Sequence, residues 1–479
     1  MLQCLIMNNS IIKKIFNGAY FGLFTNIYSA ISALIWIPLA LKTLGPEEYA
    51  KSVSISVFYA NGIISIILLG NQSTALKYSA EFWENSIHKV FSLYKFIFLR
   101  VVKLSLIGVL VFFIFSNYLI NFLSLTASEE YIFFVVIFSI PFQFLNIINF
   151  NFINGNAEFK LTQRVTFIQE FIKVTGIFFF LIYYQSFIGI VISIITSQFI
   201  GLLITSIILN RRIIKSKEVI HNTKLNEIKI YQKHLSIQNT ISAFLNGSDK
   251  LLGTIFLTPT LLAYMDIILK LPILMNRVIF TSLNGIIPSI SPLEENIKEY
   301  FIRGLSIFTL ICCYLSIITY FFSDLLYTLW LQNEYLNMYS DVGKYFSIWL
   351  LFLPMLFSGT FLISKNVNLN RVTLFRFLQA FIKILIFIIF IKTFGLYAIP
   401  LAYVLSLLPS LILNFSIKEL SIYPNEIFME FFKSIFFIFL FSSPILLIEN
   451  NIISLTYIVI LFLIHISIKI KYIFNKSNK

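Results

Sequence analysis

Apolar runs of about twenty residues, interrupted by short polar breaks, recur along the whole chain. A run of that length crosses a bilayer core as a helix. The pattern predicts about fourteen such helices, near 18–41, 52–73, 100–122, 131–153, 166–184, 187–209, 237–257, 261–288, 302–323, 343–363, 373–391, 395–416, 428–447 and 451–470. The predicted fold class is an all-α integral membrane protein with about 14 transmembrane helices.

Composition removes the soluble alternative. Of 479 residues, 58% are hydrophobic and only 12% charged, with 54 Phe and 24 Tyr, and the mean hydropathy is +0.87. The net charge of +14 suggests nucleic acid until its distribution is read. The basic residues stand in short runs between apolar spans, as orientation signals do, so no nucleic-acid partner is expected. With the N-terminus inside, 27 basic residues fall in inside segments, and only Lys42, Lys51, Lys344 and Lys392 fall outside. Lys365, Arg371 and Arg376 form one of these inside groups. Both termini are therefore expected in the cytoplasm, and the first apolar stretch is too long for a cleavable signal peptide.

A self-comparison at an offset of 213 residues aligns Asn26 with Asn239, Ser29 with Ser242, Ala30 with Ala243, Leu39 with Leu252, Leu44 with Leu257, Pro46 with Pro259 and Ala50 with Ala263. Ile66/Ile279 and Asn71/Asn284 keep the offset. Chance matches in an Ile- and Leu-rich chain are the alternative to a true repeat. A repeat spanning six helices gives two lobes of like topology, an architecture of secondary transporters with the substrate path between lobes. On this reading residues 1–210 form an N-terminal lobe of helices 1–6, and 211–236 a cytoplasmic basic linker. Residues 237–417 form a second lobe of helices 7–12 about a central cavity, and 418–479 carry two C-terminal helices and a tail.

Ionisable side chains inside spans cost about 2.5–3.5 kcal/mol each on insertion scales, so they are functional candidates. The bases are Lys173, Lys250, Lys270, Arg277 and Lys383; the acids are Glu170, Asp249 and Asp266. Asp266, Lys270, Arg277 and Asn284 recur at spacings that return to within roughly 40° of one direction on a helix. One polar stripe therefore runs along an apolar helix and must face protein or a water-filled cavity. Asp266 and Lys270 can pair at i,i+4. Arg277 has no local acidic partner, so its planar fork suits a phosphate or a contact to another helix such as Asp249. Glu170 and Lys173 stand one turn apart and can pair. Asp249 and Lys250 point about 100° apart, so one can line a cavity while the other packs.

No nucleotide-binding loop, metal-ligand spacing or nucleophile elbow is present, so neither enzyme chemistry nor a cofactor is expected. His88, His221, His234 and His465 are scattered, and Cys4, Cys312 and Cys313 do not suggest a disulfide framework. Of the histidines, His465 is expected to serve helix packing.

The segment Leu44-Gly45-Pro46-Glu47-Glu48-Tyr49-Ala50 resembles the L-G-P-E-E-Y/F-G signature of polysaccharide biosynthesis membrane proteins, the Wzx-type O-antigen and capsule flippases. Ala50 departs from the family's usual glycine. Asp249-Lys250 with Leu257, Ala263 and Tyr264 looks like that family's second-half opening, and Leu329-Trp330 with Glu334-Tyr335 resembles its external loop. The resemblance implies the multidrug/oligosaccharidyl-lipid/polysaccharide exporter superfamily, with two six-helix lobes around a central cavity, in a bacterial inner membrane. It implies an undecaprenyl-diphosphate-linked oligosaccharide as substrate, moved from the cytoplasmic to the outer leaflet by alternating access. Membrane lipid, a polysaccharide polymerase and a ligase are the implied partners. The expected substrate contacts are Arg277, Lys270, Lys250, Asp249, Lys173, Lys383 and Asn284, with Asp266 and Glu170 as coupling or structural ion pairs. A multidrug exporter, a lipid II flippase, and a membrane polymerase or glycosyltransferase are the alternatives.

Overall fold

The computed structural model describes residues 2–56, 68, 70–85, 87–123, 125–127, 129–156, 158–213, 220, 222–284, 297–331, 336–364, 369–415, 422–444 and 451–477, and of 276–284 it gives the backbone alone. Among the described residues there is no strand, and the chain is a succession of seventeen α-helices. In order they are α1 (Leu2–Ser56), α2 (Asn71–Asn85), α3 (Ile87–Ile114), α4 (Ser116–Phe122), α5 (Glu130–Gly155), α6 (Phe159–Tyr183), α7 (Phe187–Arg212), α8 (Asn222–Phe256) and α9 (Pro259–Asn284). There follow α10 (Ile297–Leu331), α11 (Leu336–Phe352), α12 (Phe357–Ser364), α13 (Leu369–Phe394), α14 (Ala398–Leu405), α15 (Leu408–Leu413), α16 (Pro424–Ser442) and α17 (Asn451–Ser477). Among the described residues, eight helical stretches are long and apolar enough to cross a membrane, from Phe24–Ser56 to Asn370–Leu413. Most of the span expected at 52–73, and the end of that at 261–288, lie outside the described residues.

Several helices begin earlier than hydropathy places them. α3 starts at Ile87 rather than near 100, and α13 at Leu369 rather than 373. The expected linker 211–236 is helical from Asn222 and runs directly into α8. Backbone hydrogen bonding does not stop where side chains become polar, and the first turns of α8 find partners. Arg100 Nη1 donates to Gln232 Oε1 at 2.6 Å, and Gln232 in turn donates to Asn71. Lys224 pairs with Glu81 at 2.8 Å, and the Lys77 ammonium lies 3.9 Å from the Tyr231 ring centre.

α1 is broken once. Gly45 has φ +77° and ψ 167° between two helical segments, a backbone region open to glycine and disfavoured for residues with a Cβ. Pro46 starts the second segment, where its missing N–H is no loss. The same event recurs at the 213-residue offset: α8 ends at Phe256 and Pro259 starts α9. The break that follows Leu44 is thus matched by the break around Leu257, and Ala50 and Ala263 are both buried.

The chain divides into two compact units, 1–266 and 267–479. In the first, α1 packs on α6 and α7, and α5 packs on α7, α2 and α3 around Ile97, Val101, Phe133, Phe144 and Phe152. Hydrogen bonds between helices supplement that core. Asn149 accepts from Tyr94 at 3.1 Å and donates to Ser206 at 3.0 Å, and Asn146 donates to Gln198 at 2.8 Å. Such bonds contribute about 0.6 kcal/mol each within a membrane. In the second unit α10 packs on α11, α16 and α17, and α13 on α14 and α15. Its core includes Leu310, Tyr314, Phe322, Ile438 and Ile458, and the Tyr314 hydroxyl meets His465 Nδ1 at 2.6 Å. Cys312 and Cys313 are free and buried.

Candidate functional site

The first unit holds a buried charge cluster where the second segment of α1, α8 and α9 meet. The Asp266 carboxylate, 2% exposed, takes the Lys250 ammonium at 3.0 Å and the Tyr49 hydroxyl at 2.8 Å. Lys250 also donates to Ser56 Oγ at 3.2 Å, while Thr254 ties α8 to Ser54 at 3.4 Å. Each partner has a structural origin in the sequence. The Gly45–Pro46 break redirects α1 so that Tyr49 and Ser56, seven residues apart and on one helical face, turn to the cluster. Gly253 lets α9 approach α8, since a Cβ there would stand 2.6 Å from Met265 Cε and 2.8 Å from Leu262 Cδ1.

The cluster is asymmetric. A carboxylate this deep requires a counter-charge, and it has both an ammonium and a phenol. Lys250 is 26% exposed along its side chain, so the accessible side of the pair is cationic. Two of its three N–H donors are engaged by Asp266 and Ser56, which leaves one for an incoming anion. The adjacent Asp249 is buried at 4% and points elsewhere, as the 100° step between neighbours requires.

Further along α9, Lys270 is partly buried one turn beyond Asp266. Arg277 and Asn284 continue the same helix, and their side chains lie outside the described residues. On α6, Glu170 pairs with Lys173 and accepts from Ser29 of α1 at 3.1 Å. In the second unit the Lys383 ammonium of α13 lies 4.0 Å from the Tyr403 ring centre of α14, a cation–π contact in a desolvated setting. Thus Lys250 and Asp266 come together, Glu170 and Lys173 form a separate pair, and Lys383 stands in the other unit.

Two contributors escaped the sequence reading. Tyr49 lies in the L-G-P-E-E-Y segment, but periodicity carries no signal that its hydroxyl serves Asp266. Arg376, grouped with the cytoplasmic bases although it falls inside the expected span 373–391, stands seven residues inside α13 and is partly buried; its place within that span was the signal. At the edge of α5, Lys51 pairs with Glu129 at 2.9 Å and Glu48 at 2.7 Å. Burial pushes the Glu129 carboxyl up, but the Thr126 N–H and the Lys51 ammonium prevail and hold it below the usual carboxylate range.

No protein-family model and no curated protein sequence matches the chain. Solved structures do match its fold. The lipid II flippase MurJ in an inward closed conformation aligns with a TM-score of 0.67 at 15% identity, over 94% of this chain and 99% of that one. A MATE protein in complex with MaL6 aligns at 0.66 and 11% identity, over 86% and 97%. An inward-facing multidrug resistance MATE family transporter of the MOP superfamily aligns at 0.64 and 11% identity, over 83% and 99%. The chain therefore shares the fold of these solved structures, a multi-pass helical architecture found in a lipid II flippase and in MATE transporters.

Proposed function

We propose that this chain is a flippase for lipid-linked oligosaccharide. It moves undecaprenyl-diphosphate-linked repeat units from the cytoplasmic to the outer leaflet of a bacterial inner membrane by alternating access, for O-antigen, capsule or a related surface polysaccharide. The observation that carries this reading is the cationic balance of its intramembrane charges. The Lys173–Glu170 and Lys250–Asp266 pairs neutralise themselves. Of the other intramembrane ionisable groups considered above, Asp249 is the acid, and Lys270, Arg277, Arg376 and Lys383 are the bases. A cationic interior suits a diphosphate whose polyprenyl tail stays in lipid. The fold shared with a lipid II flippase over most of the chain and the L-G-P-E-E-Y resemblance support the same reading.

Arg277 and Lys270 hold the diphosphate in this scheme, with Lys250, Lys173 and Lys383 as further contacts, and a polymerase and ligase act on the product. The test is the sidedness of lipid-linked glycan in cells depleted of the protein and complemented with wild type or Arg277→Ala. Single repeat units accumulating on the cytoplasmic face, rescued by wild type and not by the variant, support the proposal. Repeat units reaching the outer face during depletion would refute it. Unchanged glycan with increased drug sensitivity would favour multidrug export, the activity named for one structural neighbour.

A further inference from the structure

A second cationic position lies in the unit 267–479. From Val342 to Lys418 the chain carries no acidic residue but seven basic ones, namely Lys344, Lys365, Arg371, Arg376, Lys383, Lys392 and Lys418. Two of these, Arg376 and Lys383, are seven residues apart on α13, which places them within roughly 20° of one direction and about 10 Å apart along the axis. That direction is the inner pole of the helix. Val372, Gln379, Ala380 and Phe387 share it and are buried, whereas Leu374, Phe377, Phe381, Leu385 and Ile388 form an exposed apolar face on the other side.

Arg376 therefore does not reach out to lipid. It stands near the centre of the protein-facing pole, roughly 140° from the middle of the apolar face. The pole is closed one turn later, where Gln379 donates to Ser410, and again where Lys383, 5% exposed, meets Tyr403. Arg376 itself is only partly buried, and among the described residues it makes no hydrogen bond or ion pair. The acids of this unit with resolved partners are engaged elsewhere: Glu299 with Arg303, Asp324 and Asp341 with Lys344, and Glu426 with Lys298.

We propose that Arg376, reinforced by the field of Lys383, is an intramembrane anion site for the phosphoryl group of an amphiphile whose chains lie in the bilayer. A guanidinium offers a planar fork that pairs two phosphate oxygens at once. A cation inside a span is costly, and an anionic headgroup removes that cost where no carboxylate among the described residues does. Two amphiphiles carry this chemistry, a polyprenyl diphosphate and an anionic membrane phospholipid. The first source rests on the flippase reading; the second does not.

The experiment measures equilibrium binding to the purified full chain in detergent micelles, with a polyprenyl diphosphate, phosphatidylglycerol and uncharged polyprenol as probes. Arg376→Gln is expected to weaken binding of the phosphorylated probe roughly tenfold to a hundredfold, the loss of a charge-assisted bidentate contact, and to leave polyprenol unchanged. Arg376→Lys, which keeps the charge and loses the fork, is expected to fall between; it serves alone if the glutamine variant does not purify as a folded species. Wild type that binds phosphatidylglycerol through Arg376 but no polyprenyl diphosphate would support the site and refute the flippase reading. Polyprenyl diphosphate bound equally by wild type and variants would leave the flippase reading intact. If phosphatidylglycerol binding is then also independent of Arg376, the site is overturned.

Discussion

Removing either member of the Lys250–Asp266 pair should destabilise the protein, and by unequal amounts. Lys250→Met takes the ammonium from a carboxylate that is 2% exposed and that still accepts from Tyr49, so the penalty for breaking a buried pair applies, about 3–5 kcal/mol. Asp266→Asn strands the ammonium instead. That group is 26% exposed and keeps Ser56, so solvent offsets part of the loss and about 2–3 kcal/mol is expected. The double variant removes both charges and should be less destabilised than Lys250→Met alone, which corresponds to a coupling of about 2 kcal/mol or more. The assay is reversible unfolding of the full chain in mixed micelles for wild type, both single variants and the double variant. An additive double variant, or Asp266→Asn costing more than Lys250→Met, would refute the cluster's geometry and its asymmetry.

Other expectations follow from single features. Gly45→Ala meets no atom within 4 Å but must hold φ +77° and ψ 167°, so it should cost about 1–3 kcal/mol through backbone strain, read as a lowered unfolding midpoint. Glu129 titrates below its unfolded value. Its contribution is therefore full above about pH 4.3 and fades as pH falls through the folded value. Glu129→Gln should lose about 1 kcal/mol at pH 7 and converge with wild type once the pH falls below the folded value of Glu129, and a pH-independent difference would contradict this. Tyr403→Leu should cost about 2 kcal/mol through loss of the aromatic face above Lys383, and Tyr403→Phe less; equal losses would assign Tyr403 a role other than the ring.

Hydropathy made the membrane class legible, together with the centres of most helices, because apolar length is what a bilayer demands of a helix. It placed the sixth span at 187–209, against the observed Phe187–Arg212. Hydropathy failed at helix starts rich in Lys and Arg, as in α3, α8 and α13, since those residues satisfy the interface while the backbone ladder continues. Arg376 was overlooked for another reason: it lies inside the expected span 373–391 but was grouped with the flanking bases. The Glu170–Lys173 pair was legible because its spacing is local. The Tyr49–Asp266 bond was not, because its partners are 217 residues apart and are joined only by the turn at Gly45. What the structure adds to the 213-residue offset is one local feature, a helix break after Leu44 and another around Leu257.

The most direct test of flipping uses the purified chain in liposomes carrying a fluorescent polyprenyl-diphosphate-linked sugar in both leaflets, with an impermeant quencher outside. The account predicts that active protein brings inner-leaflet substrate to the quencher and that Arg277→Ala does not. Substrate that stays half-protected with active, correctly inserted protein would contradict it.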